Sequence, residues 1–239
     1  MHRTSALACV VALAACSGGD GLGSVTPGVS AAATLGAPAH ARAAPLVVDF
    51  DHDEPGSVPA GWHVGGVDAS APGASWKVVR DPDAPSLPNA FARTAPELGA
   101  ERGADLCWTS GVRFGDGTLE LAFRGDGDAH ELGGGPVWHL QDERNYWACR
   151  IDAHGSSIRL AVVVDGEATE LASAHVALAP GTWHVIRVEH RGTHVACAVD
   201  ENELLSATDE RLRGAGGIGL WSPVGATTAF DDLRVLGDR

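Results

Sequence analysis

The chain has 239 residues, with 17 Lys and Arg against 31 Asp and Glu and a formal net charge of -14. A phosphate backbone requires clustered cations, so this balance excludes nucleic acid as a partner. Lys77 is the single lysine, so polar recognition rests on arginine, whose planar guanidinium forks suit carboxylates and sugar hydroxyls.

In chain order, Met1-His2-Arg3 is a short basic segment and Ala6 to Ala15 an apolar run. That run is too short to span a membrane, which takes about 20 residues, so it is expected to be an export signal. It ends in Leu13-Ala14-Ala15-Cys16 followed by Ser17-Gly18-Gly19, which resembles the bacterial lipoprotein lipobox. The resemblance implies cleavage before Cys16, acylation of Cys16, and attachment to the membrane through that lipid. Residues 16–45 are Gly, Ala, Ser and Pro with little charge and no aromatic side chain, which makes them a flexible tether. In the resembling lipoproteins a serine after the cysteine accompanies outer-membrane sorting. The domain is therefore expected in the cell envelope, facing either the periplasm or the outside.

Residues 46–239 carry short apolar runs punctuated by Gly, Pro and Asp, without a sustained helical period. The predicted strands are Leu46–Phe50, Trp76–Arg80, Asp105–Thr109, Thr118–Arg124, Val137–Leu140, Asn145–Ile151, Ile158–Val164, Trp183–Glu189, Val195–Val199, Ile218–Trp221 and Leu233–Leu236. Hairpin turns are expected at His154-Gly155, Asp165-Gly166 and Arg191-Gly192, each supplying a φ > 0 residue. Many evenly spaced strands imply an all-β fold, a two-sheet antiparallel jelly-roll sandwich in one domain.

Several motifs fall in a fixed order: Trp76-Lys77-Val78-Val79, Asp81 and Ala84-Pro85-Ser86; Gly133-Gly134-Gly135-Pro136-Val137-Trp138; Gln141-Asp142-Glu143 with Asn145-Tyr146. Then come Asp165-Gly166, Trp183-His184, Ile186-Arg187-Val188, Asp209, Gly219-Leu220-Trp221 and Phe230-Asp231-Asp232-Leu233. This order resembles the concanavalin A-like, laminin-G-like domains, and more narrowly the 3-keto-disaccharide hydrolase branch. The chain departs from that branch in having His139 where an Arg is common, and Trp221-Ser222-Pro223-Val224-Gly225 where Trp-Thr-Lys-Ala-Asp is common.

Alternation places Leu119, Leu121, Phe123, Trp147, Cys149, Ile151, Ile158, Leu160, Val162, Ile186 and Val188 in the core. The opposite faces then carry Glu120, Arg124, His139, Gln141, Tyr146, Arg150, Arg159, Arg187 and Glu189. If these strands share one sheet, the set forms a concave polar surface. Arg124, Gln141, Tyr146, Arg159, Arg187 and Trp221 would then bind carbohydrate, because a sugar presents C–H patches to aromatic rings and paired hydroxyls to bidentate donors. The plain alternative is a solvated face with cross-strand ion pairs.

The Glu-x-Asp-x-x-Glu pattern of laminarinase-type catalysis is absent, so two-carboxylate hydrolysis is not expected. A 3-keto sugar has an acidified C2 proton, for which Glu120 or His139 would be the base and Arg150 or Arg124 the donor to the developing enolate. Two readings result: a non-catalytic carbohydrate-binding lipoprotein, and a 3-keto-glycoside hydrolase. Asp49, Asp51 and Asp53, with Asp231 or Asp232 from the last strand, offer hard oxygen ligands for Ca²⁺, against the simpler reading of an acidic surface turn. Of the cysteines beyond the signal and Cys16, Cys149 and Cys197 are expected to point inward and Cys107 away, with buried free thiols favoured over a bridge. The oligomeric state is not legible.

Overall fold

The computed structural model describes residues 44–65, 75–94, 104–126, 132–152, 156–223 and 226–237. The signal segment, Cys16, the tether up to residue 43 and the His154-Gly155 turn lie outside them. Fifteen strands form, beginning with β1 (Leu46–Val48), β2 (Trp62–Gly65), β3 (Ser75–Arg80), β4 (Asn89–Thr94) and β5 (Ala104–Phe114). They continue through β6 (Gly117–Asp126), β7 (Gly135–Asp142), β8 (Asn145–Ile151), β9 (Ser157–Val164) and β10 (Glu167–His175). The last are β11 (His184–Arg191), β12 (His194–Val199), β13 (Asn202–Thr208), β14 (Gly216–Pro223) and β15 (Thr227–Gly237).

The first sheet runs β13-β12-β11-β6-β15-β4-β3, and the second β10-β9-β8-β7-β14-β5-β2, with every pairing antiparallel. One edge of β15 is shared: β4 covers Thr228 to Phe230 and β1 covers Leu233 to Val235. The first and last strands are thus neighbours. Asp231 and Asp232 fall in the irregular step between these two partners, where Asp232 has φ of 48°.

Alternation decides the core. Leu119, Leu121 and Phe123 of β6 and Ile186 and Val188 of β11 face Trp147, Cys149 and Ile151 of β8 and Ile158, Leu160 and Val162 of β9 in one fully buried cluster. An aromatic group of Phe50, Trp62, Trp76, Phe91 and Phe230, with centroids 5.1 to 5.8 Å apart, fills the end of the sandwich near β3 and β4. The Asp165-Gly166 turn uses φ of 53° and 85° between β9 and β10, and Gly192 has φ of 62° between β11 and β12.

Cys107, Cys149 and Cys197 are all buried free thiols. Cys149 and Cys197 meet across the sandwich, and burial together with that contact raises the Cys197 thiol well above its ordinary value. Cys107 corrects the sequence reading: it points into the main core, and its neighbours Leu106 and Trp108 point outward. With apolar residues on both faces of β5, the hydrophobic pattern carried no phase.

Strands β2, β4, β10 and β13 were not expected. In β4, Asn89 to Arg93 are buried on both faces, so no alternation shows. In β10, Glu167–His175 is polar and Ala-rich, and it forms a strand because the hairpin turn returns it along β9.

Candidate functional site

The expected polar surface divides between two sheets. Glu120 and Arg124 on β6 and Arg187 and Glu189 on β11 lie on the outer face of the first sheet; Gln141, Tyr146, Arg150, Arg159 and Trp221 lie on the outer face of the second. The whole hydrophobic core separates them. Period-2 alternation tells inside from outside but not which sheet a strand joins.

On the first sheet the charges satisfy one another. Arg124 bonds Asp126 at 2.7 Å and Asp81 at 2.8 Å, and lies 5.0 Å over the Trp183 ring. Arg187 pairs with Glu189 and lies 3.9 Å from Glu120. Arg187 and Glu120 stand opposite each other on neighbouring strands, whereas Arg124–Asp126 and Arg187–Glu189 pair along one strand; such pairs stabilise the sheet modestly. This arrangement is the solvated face with cross-strand pairs weighed above.

His139 lies on neither surface. A register shift between Trp138 and Asp142 and a φ of 48° turn it inward, where it is 2% exposed. Its Nδ1 is 3.1 Å from the Leu212 carbonyl and its Nε2 is 3.3 Å from the Gly115 carbonyl. Both ring nitrogens face main-chain carbonyls, which leaves the ring poorly placed to take a proton from a substrate. His139 stacks on His190 at 4.3 Å. The His190 Nδ1 accepts the Trp138 indole N–H at 2.9 Å, and its Nε2 lies 3.2 Å from the Gly192 carbonyl. An indole only donates, which fixes His190 as the neutral Nε2–H tautomer. Burial, reinforced by the neighbouring His139, lowers His190 to about 4. The proposed grouping of Glu120, His139 and Arg150 is therefore dispersed over one outer face, the interior and the other outer face.

The outer face of the second sheet has the shape of a site. Cross-strand register aligns His63, Trp108, Gly219, Val137, Ala148 and Ala161 in one row. Small side chains thus form a floor beyond Trp108. A parallel row carries Leu106, Trp221, Arg150 and Arg159, and on the other side Tyr146 stands opposite Val163. Leu106, Val137, Tyr146, Val163 and Trp221 form a second apolar cluster with Trp108 packed against it.

At the β2 end, a groove of about 650 Å³ opens between His63, Trp108, Arg113, Gln141, Asp142 and Glu143. Trp108 is half-buried, and the His63 ring tilts over it at 6.0 Å. Asp142 is held by the Arg144 amide at 2.8 Å and by Asn145 Nδ2 at 2.9 Å. A Cβ on Gly65 would lie 2.8 Å from both Glu143 Oε2 and the Trp108 ring, so the absent side chain lets these two groups converge. An aromatic face beside carboxylate, amide and guanidinium groups can stack on one face of a ring and hydrogen-bond its edges.

Of this groove only Gln141 was anticipated. His63 belongs to an unexpected strand, and Trp108 was hidden by the unreadable phase of β5. The run Gln141-Asp142-Glu143, polar residues closing a strand, was the available signal.

The acidic residues near the chain's first strand do not gather around one point. Asp49 accepts the Asp51 amide at 3.3 Å, and Asp51 accepts the Asn89 amide at 3.2 Å. Asn89 Nδ2 donates to the carbonyls of Phe50, Asp51 and Asp53, each at 3.2 Å, occupying oxygens a cation would want. Asp231 accepts the amide of Ser86 at 2.9 Å and its hydroxyl at 3.1 Å, whereas Asp232 pairs with Arg234 at 2.7 Å. Among the described residues no three His, Cys, Asp or Glu side chains converge.

Asp231 and His190 titrate in opposite senses. Burial raises the Asp231 carboxyl to about 7, although Ser86 partly offsets it. A raised acid favours the folded state at low pH, so this contribution is lost as pH rises from about 4 to about 7. A depressed His190 does the reverse, losing stability as pH falls from about 6.5 to about 4. Asp231→Asn should therefore gain on the parent as pH rises through that window, by up to about 4 kcal/mol at about 1.4 kcal/mol per pKa unit. Urea unfolding at pH 4.5 and 7.5 measures it; an identical difference at both pH values would contradict the raised carboxyl.

No family model matches the chain, the 3-keto-disaccharide hydrolase branch included, and no curated protein matches it in sequence. Solved structures do match. The carbohydrate-binding module CBM66 from Bacillus subtilis superposes with TM-score 0.56 at 16% identity, covering 72% of this chain and 93% of that one. The cellulose induced protein Cip1 gives TM-score 0.56 at 14% identity, covering 80% and 96%. A Bacillus licheniformis β-glucanase gives 0.51 at 12%, covering 82% and 98%. Identities this low show the fold alone. With two antiparallel sheets closed over one core and these structural neighbours, the described domain is a concanavalin A-like jelly roll.

Proposed function

We propose that the domain binds carbohydrate, without catalysis, in the groove on the outer face of its second sheet. The observation that carries this reading is the half-buried Trp108 ring, set in a 650 Å³ groove among Gln141, Asp142, Glu143 and Arg113. A sugar stacks its C–H face on such a ring and exchanges hydroxyl hydrogen bonds with the rim. The neighbours named for carbohydrate binding support the same reading. Hydrolysis of a 3-keto-glycoside needs a base beside a donor; of the residues expected in those roles only Glu120 and Arg124 share a face, four residues apart along β6, and Arg124 is already bound to Asp81 and Asp126. Binding is the better supported function.

Calorimetric titration of the domain against a panel of neutral oligosaccharides tests it. Trp108→Ala should weaken a detected ligand by at least about 10-fold, as loss of a central aromatic contact does, with the folded-state circular dichroism retained. Unchanged affinity in that variant would move the site elsewhere, and an absence of binding across the panel would sink the reading.

A further inference from the structure

Arg150 differs from the other buried or half-buried arginines among the described residues. Arg93, Arg124 and Arg159 hold carboxylates at 2.7, 2.7 and 2.9 Å. Arg150 makes no side-chain hydrogen bond or ion pair among the described residues; its guanidinium lies over Trp221, 4.5 Å from the ring centroid. The side chain is half-buried, and desolvation, the largest influence on it, lowers its basicity. A desolvated cation without a counter-ion is costly.

Its position sharpens the imbalance. Arg150 stands directly opposite Arg159 on the next strand, and like charges in that arrangement repel. Arg159 is compensated by Glu170 at 2.9 Å and Asp152 at 3.6 Å. Both carboxylates also favour the Arg150 charge through space, but neither makes an ion-pair contact with it. Trp221, 6% exposed, buries an indole N–H without an acceptor, and Tyr146 lies close enough to act electrostatically on Arg150. An unpaired guanidinium thus sits over an indole whose N–H has no acceptor, beside Tyr146, in a protein whose net charge is -14.

We propose that Arg150, with Trp221 and Tyr146, forms an anion subsite that takes the carboxylate of an acidic sugar. A planar carboxylate matches the guanidinium fork in two parallel bonds. The inference rests on the carbohydrate reading above and names its ligand class. From β5, which carries Trp108, to β8, which carries Arg150, is three strand spacings, about 15 Å. That reach suits a short oligosaccharide. Long uronate polymers are disfavoured, because the protein's net negative charge repels a polyanion while one compensated carboxylate meets a local excess of positive charge.

The experiment titrates the domain with uronate trisaccharides (α-1,4-galacturonate and β-1,4-glucuronate) and with their carboxyl-reduced counterparts. At least one acid should bind about 10- to 100-fold more tightly than its reduced form, as a charge-assisted bidentate contact predicts, and the margin should shrink in 1 M salt. Arg150→Met keeps an apolar stem over Trp221 and removes the fork, so the two forms should then bind alike. Its melting temperature should not fall, since a desolvated cation opposite Arg159 is gone. Acid and reduced sugars binding equally to the parent protein would overturn the acidic-sugar inference and leave carbohydrate binding standing. A preference for the acid that survives Arg150→Met would overturn the assignment to Arg150. If neither these sugars nor the neutral panel bind, the underlying carbohydrate reading fails with it.

Discussion

Asp105→Ala should destabilise the domain by about 3 to 5 kcal/mol, the cost of stranding a buried charge. Its partner Arg93 is wholly buried on β4 of the first sheet, and Asp105 lies on β5 of the second. Arg93 Nε and Nη2 reach Asp105 Oδ2 at 3.0 and 2.7 Å, and Nη1 donates to the Ala226 carbonyl at 2.7 Å. The ion pair therefore crosses the sandwich and ties the ends of three segments together. Removing the carboxylate leaves a wholly buried guanidinium whose remaining side-chain partner among the described residues is the Ala226 carbonyl. Chemical denaturation reads the loss directly; thermal melting should drop by roughly 2 to 4 °C per kcal/mol for a domain of this size. The double variant Arg93→Met, Asp105→Leu should recover much of the deficit, because removing both charges removes the desolvation penalty. A loss under about 1 kcal/mol for Asp105→Ala would mean that water reaches Arg93.

Trp147→Ala should be comparably severe, about 3 to 5 kcal/mol against a total stability of about 5 to 15. Trp147 is fully buried on β8, stacked on Trp138 at 6.1 Å and edge-on to His190 at 5.3 Å. Truncation opens a cavity between the sheets and loosens the Trp138 indole whose hydrogen bond holds the His190 tautomer. The variant should express poorly or unfold at much lower denaturant. Trp147→Phe is the informative control: the Trp147 indole N–H is buried without a partner, so phenylalanine loses volume but also discards an unsatisfied donor. The phenylalanine variant should therefore retain most of the stability that alanine loses. Equal losses for the two would shift the explanation from packing to something specific to the indole.

Trp147 lies where the sequence was most readable, and the Arg93–Asp105 pair where it was least. Trp147, Cys149 and Ile151 alternate with polar neighbours, and a single wet face makes the phase of such a strand unambiguous. The same holds for β6, β9 and β11. It fails for β4, which is buried on both faces, and for β5, whose outer face carries Leu106 and Trp108 in an apolar cluster of its own. That is why Cys107 was assigned outward and Trp108 was not recognised as part of a groove. It also fails at His139, where a backbone irregularity between Trp138 and Asp142 reverses the direction that counting along the strand would give.

Local pattern by itself determined the all-β class, the inward residues of the well-phased strands, the hairpin turns at Asp165-Gly166 and Arg191-Gly192, and the two-sheet sandwich that their spacing required. These follow from side-chain alternation and from φ > 0 chemistry, which act within a few residues. Only the tertiary structure decided which sheet each strand joined. It therefore decided that Glu120 and Arg187 face away from Gln141, Arg150 and Trp221. Sheet membership is set by pairings between segments far apart in sequence, such as β6 with β15 and β14 with β5, and by burial shared across the whole core. No run of residues records who its neighbour will be, so a set of wet-face side chains remains a list until the sheets divide it.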